Sequence, residues 1–324
     1  MMREAIAPLP KPDNAKGKPR RTGVEIEFAG LTEERIAHIA ADALGGEAGK
    51  VDGSDWQVTG SKIGDLQIYL DIFLRKEADS TLKEFGLRVG REVIPVEIVT
   101  DPLPREGLLQ LSDFIELLRS EGAEGTGRSP LYGFGLHLNP EIASETAEDI
   151  VRPLLAFALI EEWMREVWPI ERTRELLPFT APYPKKLIAD LATLGPDATL
   201  EEAIATYRKH TLSRNHGLDM LPIFCELRPD LIDPKEGKGG TVSPRPAFHF
   251  RLPDCRIDDP DWSLDSEWRR WWLVETIAVD RELLERLSRE WLAAKGGFHP
   301  FGDKWVETCG TILEEAGLGK DARA

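Results

Sequence analysis

The chain has 324 residues, 41% of them hydrophobic and nine of them tryptophan, enough to bury a sizeable core as one large domain or two closely fused ones. Its formal net charge of −16 argues against a nucleic-acid or anionic-membrane partner, because phosphate contacts need clustered Lys and Arg. No apolar run approaches the roughly 20 residues that span a bilayer, and the N-terminus lacks the apolar centre and cleavage site of a secretory signal. Cys225, Cys255 and Cys309 lie far apart without metal-type spacing, so a cytoplasmic, reducing location is expected and no chemistry is assigned to them.

In chain order, residues 1–21 carry Arg3, Lys11, Lys16, Lys18, Arg20 and Arg21 against Glu4 and Asp13, with four prolines, and read as an extended basic arm or a solvated tail. Residues 22–324 read as a single domain with a helical C-terminal part. Thr22–Phe28, TGVEIEF, alternates Val24, Ile26 and Phe28 with Glu25 and Glu27, so a strand here packs one face and projects two carboxylates from the other. Like charges at that spacing repel and lose water in a cleft, costs that a hard divalent cation relieves. Leu31–Leu44 has helical periodicity and stops at Gly45–Gly46. Leu66–Ile72 and Val93–Ile98 alternate as strands, presenting Asp71 and Glu97 opposite their apolar residues. Gly107–Arg119 reads as a helix, and Tyr132–Asn139 as a strand with His137 and Asn139 opposite Phe134, Leu136 and Leu138.

Ala147–Trp168 reads as a long helix interrupted near Pro153, and Leu200–Lys209 as a shorter one. Two further strands are expected: Ile223–Pro229, with Glu226 and Arg228 on one side, and Ala247–Leu252, with His249 and Arg251 opposite Phe248, Phe250 and Leu252. Leu264–Leu292 and Trp305–Ala316 are mostly helical, their tryptophans available for a core. The expected fold class is therefore α+β: an antiparallel sheet with helices packed on its apolar face and a cleft on the other. The polar faces are rich in metal-binding and anion-binding types rather than the Lys, Thr, Ser and Gln of an ordinary solvated face, which points to one shared site. Taken singly, each residue has a plainer reading as a solvated carboxylate, a structural histidine or, for Glu226 and Arg228, a surface ion pair. Gly122–Ser129, GAEGTGRS, nearly matches a phosphate loop but follows a helix and enters a strand, the reverse of the required context, so it reads as a connector or a loop over the cleft.

The ordered set GVEIEF at 23–28, IPVEIVTDPL at 94–103, GAEGTGRSPLYGFGLHLNP at 122–140 and HFRLPD at 249–254 resembles the amidoligase family of glutamine synthetase-like carboxylate–amine ligases. That resemblance implies a glutamine synthetase-like catalytic fold and ATP-dependent amide formation through an acyl phosphate. It implies metal ligands at Glu25, Glu27, Glu97, His137 and His249 for Mg²⁺ or Mn²⁺, and a phosphate-binding arginine at Arg251. Arg228 is a second candidate for the phosphate, Asp71 or Glu226 for handling the amine, and Asn139, where the pattern often has histidine, for hydrogen-bonding a substrate or cofactor. His249 stands where the family has glutamate, which softens the site toward Mn²⁺ or Zn²⁺. The implied substrates are small-molecule or peptide carboxylates and amines, with an amidotransferase-type partner compatible. Arg208, Lys209 and Arg214 are candidates for a substrate carboxylate or for a solvated helix end. A metal-dependent amide or phosphoester hydrolase, and a catalytically altered nucleotide-binding module, stand as alternatives.

Overall fold

Val24, Ile26 and Phe28 are fully buried, and the strand that carries them lies inside the sheet, bonded on both sides. The computed structural model describes residues 6–70, 94–129, 132–176, 180–238, 240–295 and 304–319. Its strands are β1 (Thr22–Phe28), β2 (Glu47–Asp52), β3 (Asp55–Ser61), β4 (Gly64–Leu70), β5 (Val96–Thr100), β6 (Leu136–Pro140), β7 (Leu218–Asp219) and β8 (His249–Phe250). Together they form one antiparallel sheet of eight strands in the order β2-β3-β4-β5-β1-β6-β8-β7, so the protein is α+β. The helices are α1 (Glu33–Leu44), α2 (Arg105–Ser120), α3 (Ala147–Val167), α4 (Arg172–Leu176), α5 (Lys185–Leu194), α6 (Leu200–His210), α7 (Leu221–Leu227), α8 (Leu264–Val279), α9 (Arg281–Lys295) and α10 (Trp305–Glu315). Among the described residues, no helix is long and apolar enough to cross a membrane.

Helices cover the apolar side. The Thr32 hydroxyl caps α1 by accepting from the Arg35 amide, Gly45 ends it at φ 76°, and its buried Ile36, Ile39, Ala40 and Leu44 belong to the core beside β2, β3 and β4. Behind β8, Phe250 meets Phe157 of α3 edge-on and Trp271 of α8 at a tilt, and Trp271 also packs on Phe248. Trp268, Trp291 and Trp305 are buried as well.

Several expectations are corrected. Residues 223–229 are not a strand: Leu221–Leu227 is helical, because Pro222 pre-sets the first turn and five consecutive residues, Leu221 to Cys225, are buried, which an alternating strand cannot achieve. Helix α3 runs unbroken through Pro153, which is buried, since packing against α8 outweighs the hydrogen bond that proline forgoes. Strand β6 begins only at Leu136 and β8 spans only His249–Phe250, whereas Leu264–Leu292 is mostly helical as expected, forming α8 and α9 on either side of Asp280. Residues 6–21 are not a free tail. Ile6 is fully buried, the Trp268 indole donates to the Ala7 carbonyl at 2.7 Å, and Arg20 forms a two-pronged ion pair with Glu275 at 2.7 Å. The glycine-rich segment 122–129 is pinned, Glu124 to Ala29 and Thr126 to Cys255 through backbone bonds, so it is a connector. Asp71, Ile72 and Val93 lie outside the described residues.

Candidate active site

Strand register builds the site. Glu27 of β1 lies opposite Glu97 of β5, and Glu25 lies opposite His137 of β6, while Asn139 faces Gly23. Leu138 pairs with Phe250, which brings the neighbouring His249 of β8 alongside, and Asp219 of β7 pairs with His249. Alternation puts Glu25, Glu27, Glu97, His137, Asn139 and His249 on the face away from the helices. They form two overlapping clusters, Glu25 with His137 and His249, and Glu27 with Glu97 and His137; within each, one ligand atom per residue lies within 4.8 Å of the others.

The polar face is buried rather than washed by solvent: Glu27, Glu97, His137, Asn139 and His249 are all under one-tenth exposed, and Asp219 is fully enclosed. Burial pushes the His137 ring down to about 3 against the pull of Glu25, so it is a neutral imidazole at pH 7. Burial also opposes the charge on Glu25, but the hydrogen bond from His137 and the nearby His249 and Arg245 hold its carboxyl well below the usual range. The His137 Nδ1–H therefore donates to Glu25 Oε2 at 2.7 Å. Its Nε2 then turns a lone pair toward Glu27 Oε1 at 3.7 Å, two electron-rich atoms across a gap of the kind a cation closes. Glu27 Oε2 accepts the Gly135 amide at 2.7 Å.

His249 is likewise lowered by burial. Its Nδ1 lies 3.4 Å from Asp219 Oδ2, and its Nε2 lies 4.0 Å from Glu25 Oε2. Among the described residues that buried Nε2 has no hydrogen-bond partner. Burial opposes ionisation of Asp219, but His249, Arg214 and the Leu221 amide outweigh it and lower its carboxyl.

Arginines flank the carboxylates. Arg251, beside β8, donates to the Arg214 carbonyl at 3.0 Å and leaves its buried Nε unbonded among the described residues. Beneath it, buried Arg174 donates to the Arg251 carbonyl at 2.6 Å and to the Pro253 carbonyl. A Cβ on Gly135 would stand 2.5 Å from Arg174 Nη2, so any side chain there has to displace the guanidinium. Asn139 is committed at both ends: Nδ2 donates to Glu25 Oε1 at 2.9 Å, and Oδ1 accepts from Arg245 at 2.8 Å. Beyond Asn139 a pocket of about 470 Å³ opens along Glu25, floored by Gly23 and Val99 and flanked by Arg21, Arg245, Pro102 and Pro246.

The five metal-ligand candidates thus come together, with Arg251 beside them. Glu226 and Arg228 do not: Glu226 is exposed on α7, and Arg228 is tied to Asp230 at 2.7 Å and to Glu201. Arg208 and Lys209 bond Glu236 and Asp190 on the surface, whereas Arg214 reaches the site through Asp219 at 3.2 Å. Asp219, Arg174 and Arg245 were not anticipated. The signal for Asp219 was a lone carboxylate inside the apolar run Leu218–Leu221, where an unpaired charge is not tolerated.

Searches of curated proteins and of solved structures each return no match. A family model described as "Putative amidoligase enzyme" matches residues 18–273, from the end of the N-terminal segment through all eight strands and into α8. The chain therefore belongs to this amidoligase family.

Proposed function

We propose that this protein is an ATP- and divalent-metal-dependent carboxylate–amine ligase with a glutamine synthetase-like catalytic fold. In the proposed reaction the acid's carboxylate oxygen takes the γ-phosphoryl group with release of ADP, and the amine nitrogen then attacks the acyl carbon and displaces phosphate. The observation that carries this reading is the convergence, in a chain of the amidoligase family, of Glu25, Glu27, Glu97, His137 and His249 from β1, β5, β6 and β8.

Those residues fit a cation. The buried Nε2 of His249 lacks a partner among the described residues, and the His137 Nε2 lone pair confronts a carboxylate oxygen. Three carboxylates and two imidazoles suit Mg²⁺ or Mn²⁺, the nitrogens weighting the choice toward Mn²⁺. Bound there, the ion would supply positive charge against the phosphates of the nucleotide.

The remaining work falls to the chain's own groups. Arg251, braced by Arg174, offers donors to phosphate oxygens and offsets charge built up in transfer. Asn139 bridges Glu25 and Arg245 and lines the pocket beside them, where it can hydrogen-bond a bound substrate or cofactor. The pocket along Gly23 and Val99 gives the acid a place, with Arg245 positioned to receive its carboxylate. Small-molecule or peptide substrates and a cytoplasmic setting belong to the same reading, the latter supported by three free, buried cysteines.

The test is calorimetric titration of a non-hydrolysable ATP analogue with Mg²⁺, with Mn²⁺ and with chelator. Binding that depends on metal is the expected result and opens a screen of acid and amine pairs for ADP release. Absence of nucleotide binding under every condition overturns the ligase reading.

A further inference from the structure

The imidazole of His249 lies between two carboxylates. Its Nδ1 is 3.4 Å from Asp219 Oδ2, and its Nε2 is 4.0 Å from Glu25 Oε2 with no hydrogen-bond partner among the described residues. A neutral imidazole carries one N–H, and which nitrogen holds it decides whether Nε2 is a donor or a lone pair. Left alone, Nε2–H would find an acceptor in Glu25, and the Nδ1 lone pair would face Asp219.

Asp219 is built to prevent this. It is fully enclosed, and its Oδ1 is fixed by the Leu221 amide at 3.0 Å. Its Oδ2 is fixed by Arg214 Nε at 3.2 Å, and the Arg214 guanidinium is itself tied to the Thr241 carbonyl at 3.0 Å. A carboxylate immobilised on both oxygens, with no proton of its own, accepts only; the ring nitrogen facing it must donate. The backbone pairing of Asp219 with His249 across β7 and β8 keeps the two in register.

We propose that Asp219 is a positioning residue that holds His249 as the Nδ1–H tautomer, so that the Nε2 lone pair is aimed at Glu25 and serves as a ligand for a divalent cation. A carboxylate behind a ligating histidine raises its basicity and fixes its ring, and loss of such a partner typically lowers metal affinity by about 10–100-fold. The inference rests on the metal-site part of the proposed function and is separable from its ATP chemistry.

Two measurements test it. In the metal-free, uniformly ¹⁵N-labelled full chain at pH 7, a long-range ¹H–¹⁵N correlation reads the tautomer of each of the six histidines, with His249→Gln assigning the signal. An Nδ1–H tautomer at His249 is expected, and an Nε2–H tautomer overturns the proposal. Mn²⁺ titration of the wild type, Asp219→Ala, His249→Ala and the double variant supplies the second readout. Asp219→Ala is expected to weaken Mn²⁺ binding by about 10–100-fold in the wild type and to have no further effect once His249 is gone. Equal losses in both backgrounds, no loss, or no Mn²⁺ binding by the wild type each refute the assignment. If Asp219→Ala does not fold, the tautomer measurement decides alone. Coupled Mn²⁺ binding without nucleotide binding would end the ligase reading and leave this one standing.

Discussion

Replacing Arg20 with Met puts the docking of the N-terminal segment to the test. Arg20 donates from Nη1 and Nη2 to the two oxygens of Glu275 at 2.7 Å, from Nη1 to the Lys11 carbonyl at 2.9 Å and from Nε to the Glu141 carbonyl at 2.7 Å. The two side chains are 3% and 7% exposed, so screening by solvent is slight. Arg20→Met leaves Glu275 with the donation from the Trp271 indole at 2.8 Å and leaves two carbonyls without the guanidinium. Breaking one side of a buried, hydrogen-bonded pair costs about 3–5 kcal/mol, because the surviving charge keeps its desolvation penalty. In a chain of this size that corresponds to a fall in melting temperature on the order of 10 °C. Urea unfolding followed by circular dichroism measures the loss. Arg20→Met with Glu275→Met should recover more than half of it, since the stranded charge is then gone. A loss below about 1 kcal/mol in the single variant, the value of an exposed pair, would refute the reasoning and restore residues 6–21 to a solvated tail.

Further outcomes follow from the site and its surroundings. Glu27→Gln preserves an oxygen for the Gly135 amide while removing the charge, so Mn²⁺ affinity by calorimetry should fall at least about tenfold with little change in thermal stability; unchanged affinity would remove the metal site altogether. Gly135→Ala forces the Arg174 guanidinium off the Arg251 carbonyl and should cost about 1–3 kcal/mol in urea unfolding, whereas a neutral result would contradict the packing beneath Arg251. Glu226→Ala and Arg228→Ala should leave Mn²⁺ affinity and melting temperature within error, and a large loss of metal binding in either would restore them to the site. All three cysteines are buried, which pushes the Cys225 thiol up to about 11 and raises Cys255 and Cys309 as well. Native protein at pH 8 should therefore release no chromophore from a disulfide reagent, and denatured protein should release three equivalents.

The parts of the site that sit on long, one-sided strands were legible in sequence. Glu25, Glu27 and His137 alternate with large residues that are wholly buried, so their facing could be read without knowing a neighbour. Residues 223–229 show the limit of that reasoning. Glu226 and Arg228 also alternate, but Pro222 and the unbroken buried run from Leu221 to Cys225 carry the stronger, helical instruction. Asp219 could not be placed by period because its strand has two residues, and its importance comes from β8 arriving beside it. Strands β2 and β3 were missed because most of their residues are partly or fully exposed, leaving no apolar alternation to follow; antiparallel pairing with each other and with β4 makes them strands.

The position of β1 inside the sheet has a consequence for synthesis on the ribosome. Its partners arrive late: β5 at residue 96, β6 at residue 136 and, one strand further across, β8 at residue 249. Translation at about 5–20 residues per second separates Glu25 from His249 by roughly 10–45 s. Until β6 has followed β5, roughly 6–22 s at that rate, the Val24, Ile26 and Phe28 stripe has emerged without one or both of the strands that flank it, a segment suited to chaperone capture or mispairing. The candidate metal-binding centre is thus begun with β1 and cannot be closed until β8 has been translated.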